Sequence, residues 1–252
     1  MRGRYPAPSG ISYAFGPGPV TPAVKALLIA NIGLFVVTFF LPQLLLTFGL
    51  RPHAIFQSGA VWQIVTYMFM HGSLSHLFFN MLTLWMIGVE LERMWGTRYF
   101  TRFYFAAGLG AAATQIILGF LPGSIGTQFY EQSTIGASGA IFGLLLAFAL
   151  YFPSRPFLVF FIFPVPARIL VMVLGAISLL MAISGAGSGG GGVAHTAHLG
   201  GLVTGYFYLK GKRINLISEI QYRYLKWRIN RMRKKFDVYS GGRGDDVNRR
   251  VH

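Results

Sequence analysis

An apolar run begins within the stretch IGASGAIFG, residues 135–143, and Ser138 is the polar side chain at its start. A second apolar run contains AHTAHLGG, residues 194–201, with His198 inside it. A polar side chain at membrane depth is costly unless it faces the protein interior or a water-filled cavity. We therefore predict that Ser138 and His198 are functional partners, because a hydroxyl beside an imidazole is a nucleophile beside its base.

The composition is that of a membrane protein. Hydrophobic residues make up 54% of the 252 residues, charged residues only 12%, and the mean hydropathy is +0.54. An ordinary soluble domain of this length is more polar. The apolar residues form runs of about 15 to 22 residues, against the ~20 that a helix needs to span a bilayer. These runs cover residues 23–41, 76–91, 100–121, 138–152, 169–183 and 193–209. We predict an all-α, polytopic membrane protein built as a six-transmembrane-helix bundle.

The positions of Lys and Arg indicate the orientation of this bundle. Basic residues precede the first run, follow the second, lie between the fourth and fifth, and are dense after Lys210. The other connections between the runs hold only Arg51. By the positive-inside rule both termini are cytoplasmic, which requires an even number of spans and agrees with six. Ser138 and His198 then lie near the outer side of the membrane.

The sequence divides into three parts. Residues 1–22 are a Gly/Pro-rich cytoplasmic tail, residues 23–210 are the six-helix domain, and residues 211–252 are a basic cytoplasmic tail. The first run is not a removable signal peptide, because it lacks a small-x-small cleavage site. The basic tail suits an amphipathic helix on anionic lipid headgroups, and a solvated, partly disordered tail is the alternative. Nucleic-acid binding is not expected, because these charges follow a membrane span and face the inner leaflet first.

Two further polar side chains lie in the second run. Residues 71–80 read HGSLSHLFFN, so His76 and Asn80 are four residues apart on one helical face. Side-chain donors of this kind can hold the oxyanion of a tetrahedral intermediate, especially where water is excluded. The alternative is a polar pair that links two helices by hydrogen bonds. We expect His71, which precedes the helix, to tie down the first outer loop.

Small residues predict close packing of the fourth and sixth helices. Gly201 and Gly205 form a small-x-x-x-small pattern, which lets helix backbones approach closely. The fourth run offers a matching small surface at Gly136, Gly139 and Gly143. Such packing would bring the histidine within hydrogen-bond reach of the serine.

Three motifs together make the chain resemble the rhomboid family of intramembrane serine proteases. They are Gly-x-Ser-Gly at residues 136–139, Ala-His-x-x-Gly-x-x-x-Gly at residues 197–205, and His-x-x-x-x-His-x-x-x-Asn at residues 71–80. The resemblance covers roughly residues 24–210. It implies a six-helix bundle without a cofactor that cleaves transmembrane segments with a Ser–His dyad below the outer surface. We expect a multi-pass protein of a bacterial inner membrane.

The resemblance also implies roles for individual residues. Ser138 is the expected nucleophile and His198 the general base and then acid. His76, Asn80 and the Ser138 backbone N–H are the expected oxyanion donors. The expected partners are membrane lipids and transmembrane protein substrates, cut at helix-destabilised sites after a small residue such as Ala.

Two positions depart from the family pattern. Many bacterial relatives have a tyrosine one turn after the nucleophile, stacked on the catalytic histidine, where this chain has Phe142. We expect the stacking to survive the loss of the hydroxyl. The Trp-Arg pair common in the first outer loop is here Trp62-Gln63, so that arginine's hydrogen bonds must be made by other groups. Lateral substrate access is expected, with Phe79 as the candidate gate.

Hydrolysis also needs water below the headgroups. The polar side chains that could line a water-filled cavity, open to the outside, are His71, His76, Asn80, Ser138, His195 and His198. His195 either lines this cavity or acts on His198 or the substrate. The Gly-rich segment 184–192 is flexible enough to cap the cavity.

Three alternatives to proteolysis are weaker. A zinc site is not expected, because the chain has no His-Glu-x-x-His. An inactive relative that binds membrane clients is disfavoured by the presence of both Ser138 and His198. A transporter or channel is suggested by the intramembrane polar cluster alone. It lacks a charge pathway, since Glu90 and Glu92 lie at the cytoplasmic end beside Arg93. The absence of cysteine excludes thiol catalysis.

Overall fold

The computed structural model describes residues 16–159, 163–185 and 191–213. The described residues up to Leu209 form one compact unit, and only residues 210–213 of the second unit, Lys210–His252, are described. Three predictions therefore lie wholly or mostly outside the described residues. They concern the N-terminal tail, the cap formed by the Gly-rich segment, and the amphipathic helix of the basic tail.

Helices make up most of the described chain. In chain order they are α1 (Pro22–Phe40), α2 (Leu44–Phe48), α3 (Pro52–Ser58), α4 (Gln63–Thr66), α5 (Leu74–Trp95), α6 (Thr97–Gly119), α7 (Gly123–Glu131), α8 (Ser138–Tyr151), α9 (Ala167–Gly185) and α10 (Gly191–Arg213). Six of these described helices, α1, α5, α6, α8, α9 and α10, coincide with the six apolar runs. By length and hydropathy α1, α5 and α9 could each cross a membrane, and α8 is a shorter apolar helix of 14 residues.

The connection between α8 and α9 departs from the all-helical prediction. Here the chain forms an antiparallel hairpin of β1 (Pro156–Val159) and β2 (Phe163–Pro166), in which Pro156 faces Pro166 and Val159 faces Phe163. Prolines cannot donate the helical hydrogen bond, and Val and Phe favour extended backbone. This local chemistry prevents a helical connection.

The centre of the bundle is α8. It packs against α5, α6 and α9, and residues on all its sides are buried, including Ala140, Leu144, Ala147 and Phe148. A helix that is apolar all round belongs in the interior of a bundle or in a membrane. The first residue of this central helix is Ser138.

A buried carboxylate holds the start of α1. Glu92 of α5 accepts hydrogen bonds from the backbone N–H groups of Ala23 and Val24, at 2.9 and 3.0 Å. The hydroxyls of Thr21 and Thr97 donate to the same carboxylate, at 2.5 and 2.7 Å. The first N–H groups of a helix have no intrahelical acceptor, and a negative charge there is favourable. Glu92 thus caps α1 and connects it to α5 and α6.

Candidate active site

Ser138 and His198 meet between α8 and α10. The Nε2 atom of His198 lies 2.7 Å from the Oγ atom of Ser138, which is hydrogen-bond distance. Neutral imidazole accepts through one ring nitrogen and donates through the other, so Nε2 can take the serine proton when Nδ1 carries the hydrogen. Among the described residues the buried Nδ1 atom of His198 has no hydrogen-bond partner. The pair therefore lacks a carboxylate as a third member in this part of the chain.

Glycines bring the two helices together. A Cβ atom added at Gly201 would lie 1.9 Å from the carbonyl oxygen of Gly139, and one at Gly205 would lie 3.0 Å from the Cα atom of Gly143. Real side chains do not tolerate the first distance, so backbone packs directly on backbone at Gly201. This short separation is what allows a side chain of α10 to reach the first residue of α8.

Two aromatic rings surround the imidazole of His198. The ring of Phe142, one turn after Ser138, is stacked on it with centroids 4.2 Å apart and planes 7° apart. The ring of His195 meets it edge-to-face at 5.5 Å and 89°. Packing rather than a hydrogen-bonded carboxylate therefore sets the plane of the imidazole.

The donors of α5 lie across the cavity from this pair. Gly136 has φ of +117°, and a Cβ atom added there would lie 2.7 Å from Nε2 of His76 and 3.7 Å from Nδ2 of Asn80. Only glycine fits, since a side chain would be strained and would strike His76. Among the described residues Nδ2 of Asn80 is a buried donor without an acceptor. Ser138 begins α8, so its N–H also lacks an intrahelical acceptor.

The segment before α8 is tied to the loops that precede α5. Leu50 and Thr134 exchange both backbone hydrogen bonds, at 2.9 and 2.8 Å, and the N–H of Gly136 donates to the carbonyl of Tyr67 at 2.9 Å. At the start of α5 the hydroxyl of Ser73 accepts from the N–H of His76 at 3.2 Å. These bonds fix the approach of both helices to the cavity.

His71 lies just before α5 and is 1% exposed. Its ring meets that of His76 edge-to-face, with centroids 4.9 Å apart. Burial, and next the neighbouring His76, lower the pKa of His71 to about 4. The imidazole of His71 is therefore neutral, and it packs against His76, a candidate oxyanion donor. Its predicted role in holding the first outer loop stays a prediction.

Gln63 stands where many relatives have an arginine, and it makes hydrogen bonds of its own within the first outer loop. Its Oε1 accepts from the N–H of Arg51 at 3.0 Å, and its Nε2 donates to the carbonyl of Thr47 at 3.1 Å. The neighbouring Trp62 donates to the same carbonyl at 3.0 Å. Gln63 is 2% exposed. A glutamine thus cross-links the first loop at the position next to Trp62.

A cavity of about 460 Å³ joins Ser138, His198, His76 and Asn80, whereas His71 and His195, which were also predicted to line it, are not among its lining residues. Its lining comes from α5, the segment before α8, α8, α9 and α10, and consists of Ser75, His76, Phe79, Asn80, Thr83, Ile135, Ser138, Ile141, Phe142, Leu145, Leu174, Ala194 and His198. Sequence reasoning missed Leu174, because nothing marks it within the uniformly apolar α9. It also missed Ser75, Thr83 and Leu145. A helical-face projection from Asn80 and Phe142 could have found Thr83 and Leu145.

None of the residues that line the cavity is an Asp, Glu, Lys or Arg. Glu90 and Arg155 form an ion pair of 2.6 Å beyond the far end of α8, and Arg93 binds backbone carbonyls of Pro17 and Pro19 there. Within the described residues no cluster of three or more His, Cys, Asp or Glu side chains could hold a metal ion.

Known proteins resemble this chain. The Rhomboid domain family matches residues 58–212. The rhomboid protease GluP of Bacillus subtilis (strain 168) is 29% identical over 185 residues, 70% of this chain and 32% of GluP. Rhomboid protein 1, mitochondrial, of Saccharomyces cerevisiae is 31% identical over 196 residues, 73% of this chain and 52% of that protein. Rhomboid protease AarA of Providencia stuartii is 31% identical over 113 residues, 42% and 40% of the two chains.

This chain spans about a third to a half of the length of these relatives. The match to the family runs from before α4 to the last residues of α10 and contains every residue that lines the cavity. With apolar helices long enough to cross a bilayer, the chain is an integral membrane protein. Because the match covers more than half of its residues, this protein belongs to the rhomboid family.

Proposed function

We propose that this protein is an intramembrane serine protease that hydrolyses peptide bonds in or near transmembrane segments of membrane proteins. The observation that carries the proposal is the 2.7 Å contact between Nε2 of His198 and Oγ of Ser138, inside a cavity that also holds two amide or imidazole donors. The names of GluP and AarA as rhomboid proteases support the same activity.

The arrangement supports a two-step mechanism. Ser138 Oγ attacks the scissile carbonyl carbon while its proton passes to Nε2 of His198, and the carbonyl oxygen becomes an oxyanion. Asn80, His76 and the Ser138 N–H donate to that oxyanion. When the C–N bond breaks, His198 returns the proton to the leaving amine. Water then loses a proton to His198 as it attacks the acyl-enzyme, and His198 returns that proton to Ser138 Oγ as the ester bond breaks and the second product leaves.

No residue in the described part of the chain places a carboxylate beside Nδ1 of His198, and this has a kinetic consequence. In a triad the carboxylate orients the imidazole and stabilises the imidazolium that forms during attack. Here the face of Phe142 is the group that supports the cation, and such a contact contributes about 0.5–2 kcal/mol. We expect slow turnover, limited by a less stabilised imidazolium.

The topology of the proposal follows from the helices and charges. The chain crosses the membrane six times, with the short α8 beginning below the outer surface, both termini are cytoplasmic, and the cavity opens to the outer side of a cell membrane. A substrate helix enters laterally between α5 and α9, where Phe79 is 59% exposed beside the cavity and Leu174 lines it. The substrate must unwind locally, because helical peptide bonds are shielded by their own hydrogen bonds.

Covalent labelling and cleavage test the proposal together. A fluorophosphonate should label the purified protein at Ser138, and both Ser138→Ala and His198→Ala should lose the label, since capture needs the base as well as the hydroxyl. The matched controls are Ser184→Ala, whose hydroxyl bonds the carbonyl of Leu180 in its own helix, and His53→Ala, whose ring packs on Tyr130. Both controls should keep the label.

The cleavage arm uses proteoliposomes with a single-span substrate that carries Ala near its outer membrane face. Wild type should cut it and Ser138→Ala should not. Cleavage by folded Ser138→Ala would overturn the proposal. Full labelling of His198→Ala would remove His198 from the role of base.

A further inference from the structure

The connection between α8 and α9 contains a long apolar segment. Residues 156–167 read PFLVFFIFPVPA, without a single polar or charged side chain, and Arg155 and Arg168 flank them. The described parts of this segment are β1 and β2, and the N–H of Ala167 closes their base by donating to the carbonyl of Arg155 at 2.9 Å. The segment is therefore a closed hairpin with basic residues at its base.

Among the described residues of the hairpin, those of β2 near its base are partly covered by the protein, whereas Phe163 and Pro164 are exposed. Phe157 packs on Phe148 of α8 with ring centroids 5.3 Å apart, which attaches the base of the hairpin to the end of that helix. In the strand register Phe157, Val165 and Phe163 share a face. Phe163, nearest the tip, is 60% exposed. A two-stranded hairpin of this composition is marginal in water, and an apolar edge there invites aggregation.

We propose that the exposed β2 residues of this hairpin, Phe163 and Pro164, insert into the lipid interface at the end of the bundle where α8 ends. Lipid is the expected partner of this surface, because the hairpin continues directly from α8 and into α9. Both of these helices are apolar helices of a membrane protein. The exposed Arg155 and Arg168 lie at the base, where they meet lipid phosphates. Arg155 also stays tied to the bundle through Glu90.

The prolines of the strands lower the free-energy cost of moving the hairpin backbone out of water. An unpaired N–H is costly away from water, which keeps ordinary open strands out of lipid. Three of the eight strand residues, Pro156, Pro164 and Pro166, have no N–H at all. The hairpin thus presents fewer unsatisfied donors than an ordinary two-stranded ribbon, and it suits the headgroup boundary rather than the hydrocarbon centre.

Such an anchor also sets the depth of the opposite end of α8. At ~1.5 Å per residue, the 14 residues of α8 are about 21 Å long. The hydrocarbon core is about 30 Å thick. With its last residues held at one interface by the hairpin, α8 ends about 10 Å short of the other. Ser138 is then held below the opposite membrane surface.

Site-directed spin labelling tests the depth of the hairpin without using catalysis. The chain has no native cysteine, so Phe163→Cys creates a unique labelling position. Collisions with oxygen and with a water-soluble nickel chelate would be measured in bilayers of phosphatidylethanolamine and phosphatidylglycerol. Ser154→Cys, in the exposed polar turn before β1, is the aqueous reference, and Met172→Cys, 71% exposed on α9, is the lipid reference.

The label at residue 163 should lie about 5–10 Å below the phosphates, with a ratio of oxygen to nickel accessibility several-fold above that at residue 154. A ratio equal to that at residue 154 would overturn the proposal. So would spin–spin broadening that disappears on dilution with unlabelled protein, because it would place a second copy of the chain on the hairpin. If Phe163→Cys does not fold, Pro164→Cys provides the same measurement at the adjacent exposed residue. Fluorophosphonate labelling of Ser138 is independent of either result.

Discussion

The ring of Phe142 lies flat on the imidazole of His198, 4.2 Å away and within 7° of parallel. Phe142 is on α8 four residues after Ser138, so one helix supplies both the hydroxyl and the surface that holds its base. This relationship fixes the imidazole plane while Nε2 lies 2.7 Å from the hydroxyl. The phenyl face also offers the negative side of its quadrupole to an imidazolium.

Replacing this ring should therefore slow the reaction more than it weakens substrate binding. We expect Phe142→Leu to lower kcat roughly ten-fold, or about 1.4 kcal/mol, within the range of a desolvated cation–π contact. Phe142→Tyr keeps the ring and should retain most of the activity. The measurement is kcat and KM on a membrane substrate in detergent. Equal kcat values for Phe142→Leu and wild type would rule out support of the base by this ring.

The oxyanion donors can be tested in the same assay. Loss of one such donor typically reduces the rate ~10²–10³-fold while substrate binding is nearly unchanged. Asn80→Ala and His76→Ala should each lower kcat with little change in KM. Thr83→Ala is the matched control, since Thr83 lines the same cavity but its hydroxyl bonds the carbonyl of Phe79 in its own helix. An unchanged kcat in the folded double variant of Asn80 and His76 would contradict the assignment.

The contact between α8 and α10 predicts a graded effect of added methyl groups. A Cβ atom would lie 1.9 Å from backbone at Gly201 and 3.0 Å from backbone at Gly205. Gly201→Ala should therefore lose more activity and thermal stability than Gly205→Ala, because a shift of about 1 Å can reduce the rate ~10²-fold. Gly205→Leu should also lose most activity.

Gly33→Ala on α1 is the control for this series, because nothing lies within 4 Å of its added Cβ atom. It should match wild type in cleavage and in unfolding temperature, measured together in detergent. Wild-type behaviour of Gly201→Ala in both measurements would mean that the close backbone contact does not hold the pair in place.

Two neighbouring carboxylates should differ in their contribution to stability. Glu92 is 2% exposed and accepts four hydrogen bonds from α1 and α6, whereas Glu90 forms one ion pair with Arg155, a half-exposed side chain. Glu92→Ala leaves buried N–H groups without acceptors, at about 1–3 kcal/mol each. An exposed ion pair contributes about 1 kcal/mol or less.

Thermal unfolding in detergent provides the comparison. Glu92→Ala should lower the unfolding temperature by much more than Glu90→Ala does. Glu92→Gln should fall between wild type and Glu92→Ala, since the amide retains one accepting oxygen. Equal unfolding temperatures for the alanine variants of Glu90 and Glu92 would show that the cap on α1 does not stabilise the fold.

Local sequence patterns were sufficient to identify the family and to locate the long helices along the chain. The three motifs led to the rhomboid family, which the match over residues 58–212 confirmed. The six apolar runs coincide with six helices of the described chain, because length and hydropathy are properties of a single segment. The spacing of His76 and Asn80 likewise placed both side chains on one face of α5, since helical periodicity is local.

The hairpin and the hydrogen bonds of buried polar groups depended on tertiary structure. Hydropathy alone does not distinguish an apolar hairpin from the end of a helix, although the prolines after Arg155 were a usable signal. Nothing in the sequence near Glu92 indicates that its partners are the first residues of α1, and nothing near Gln63 indicates Thr47. Such partners lie tens of residues away, and only packing of the helices brings them together.

The sequence by itself determined which side chains carry the candidate chemistry: Ser138, His198, His76 and Asn80 are polar groups in apolar runs, and that anomaly is visible without coordinates. Only the tertiary structure decided how far apart they are, which ring faces His198, and that Leu174 of α9 completes the cavity wall. The physical reason is that residue chemistry is a local property. A distance of 2.7 Å between α8 and α10 depends instead on backbone contact at Gly139 and Gly201 and on every helix packed around them.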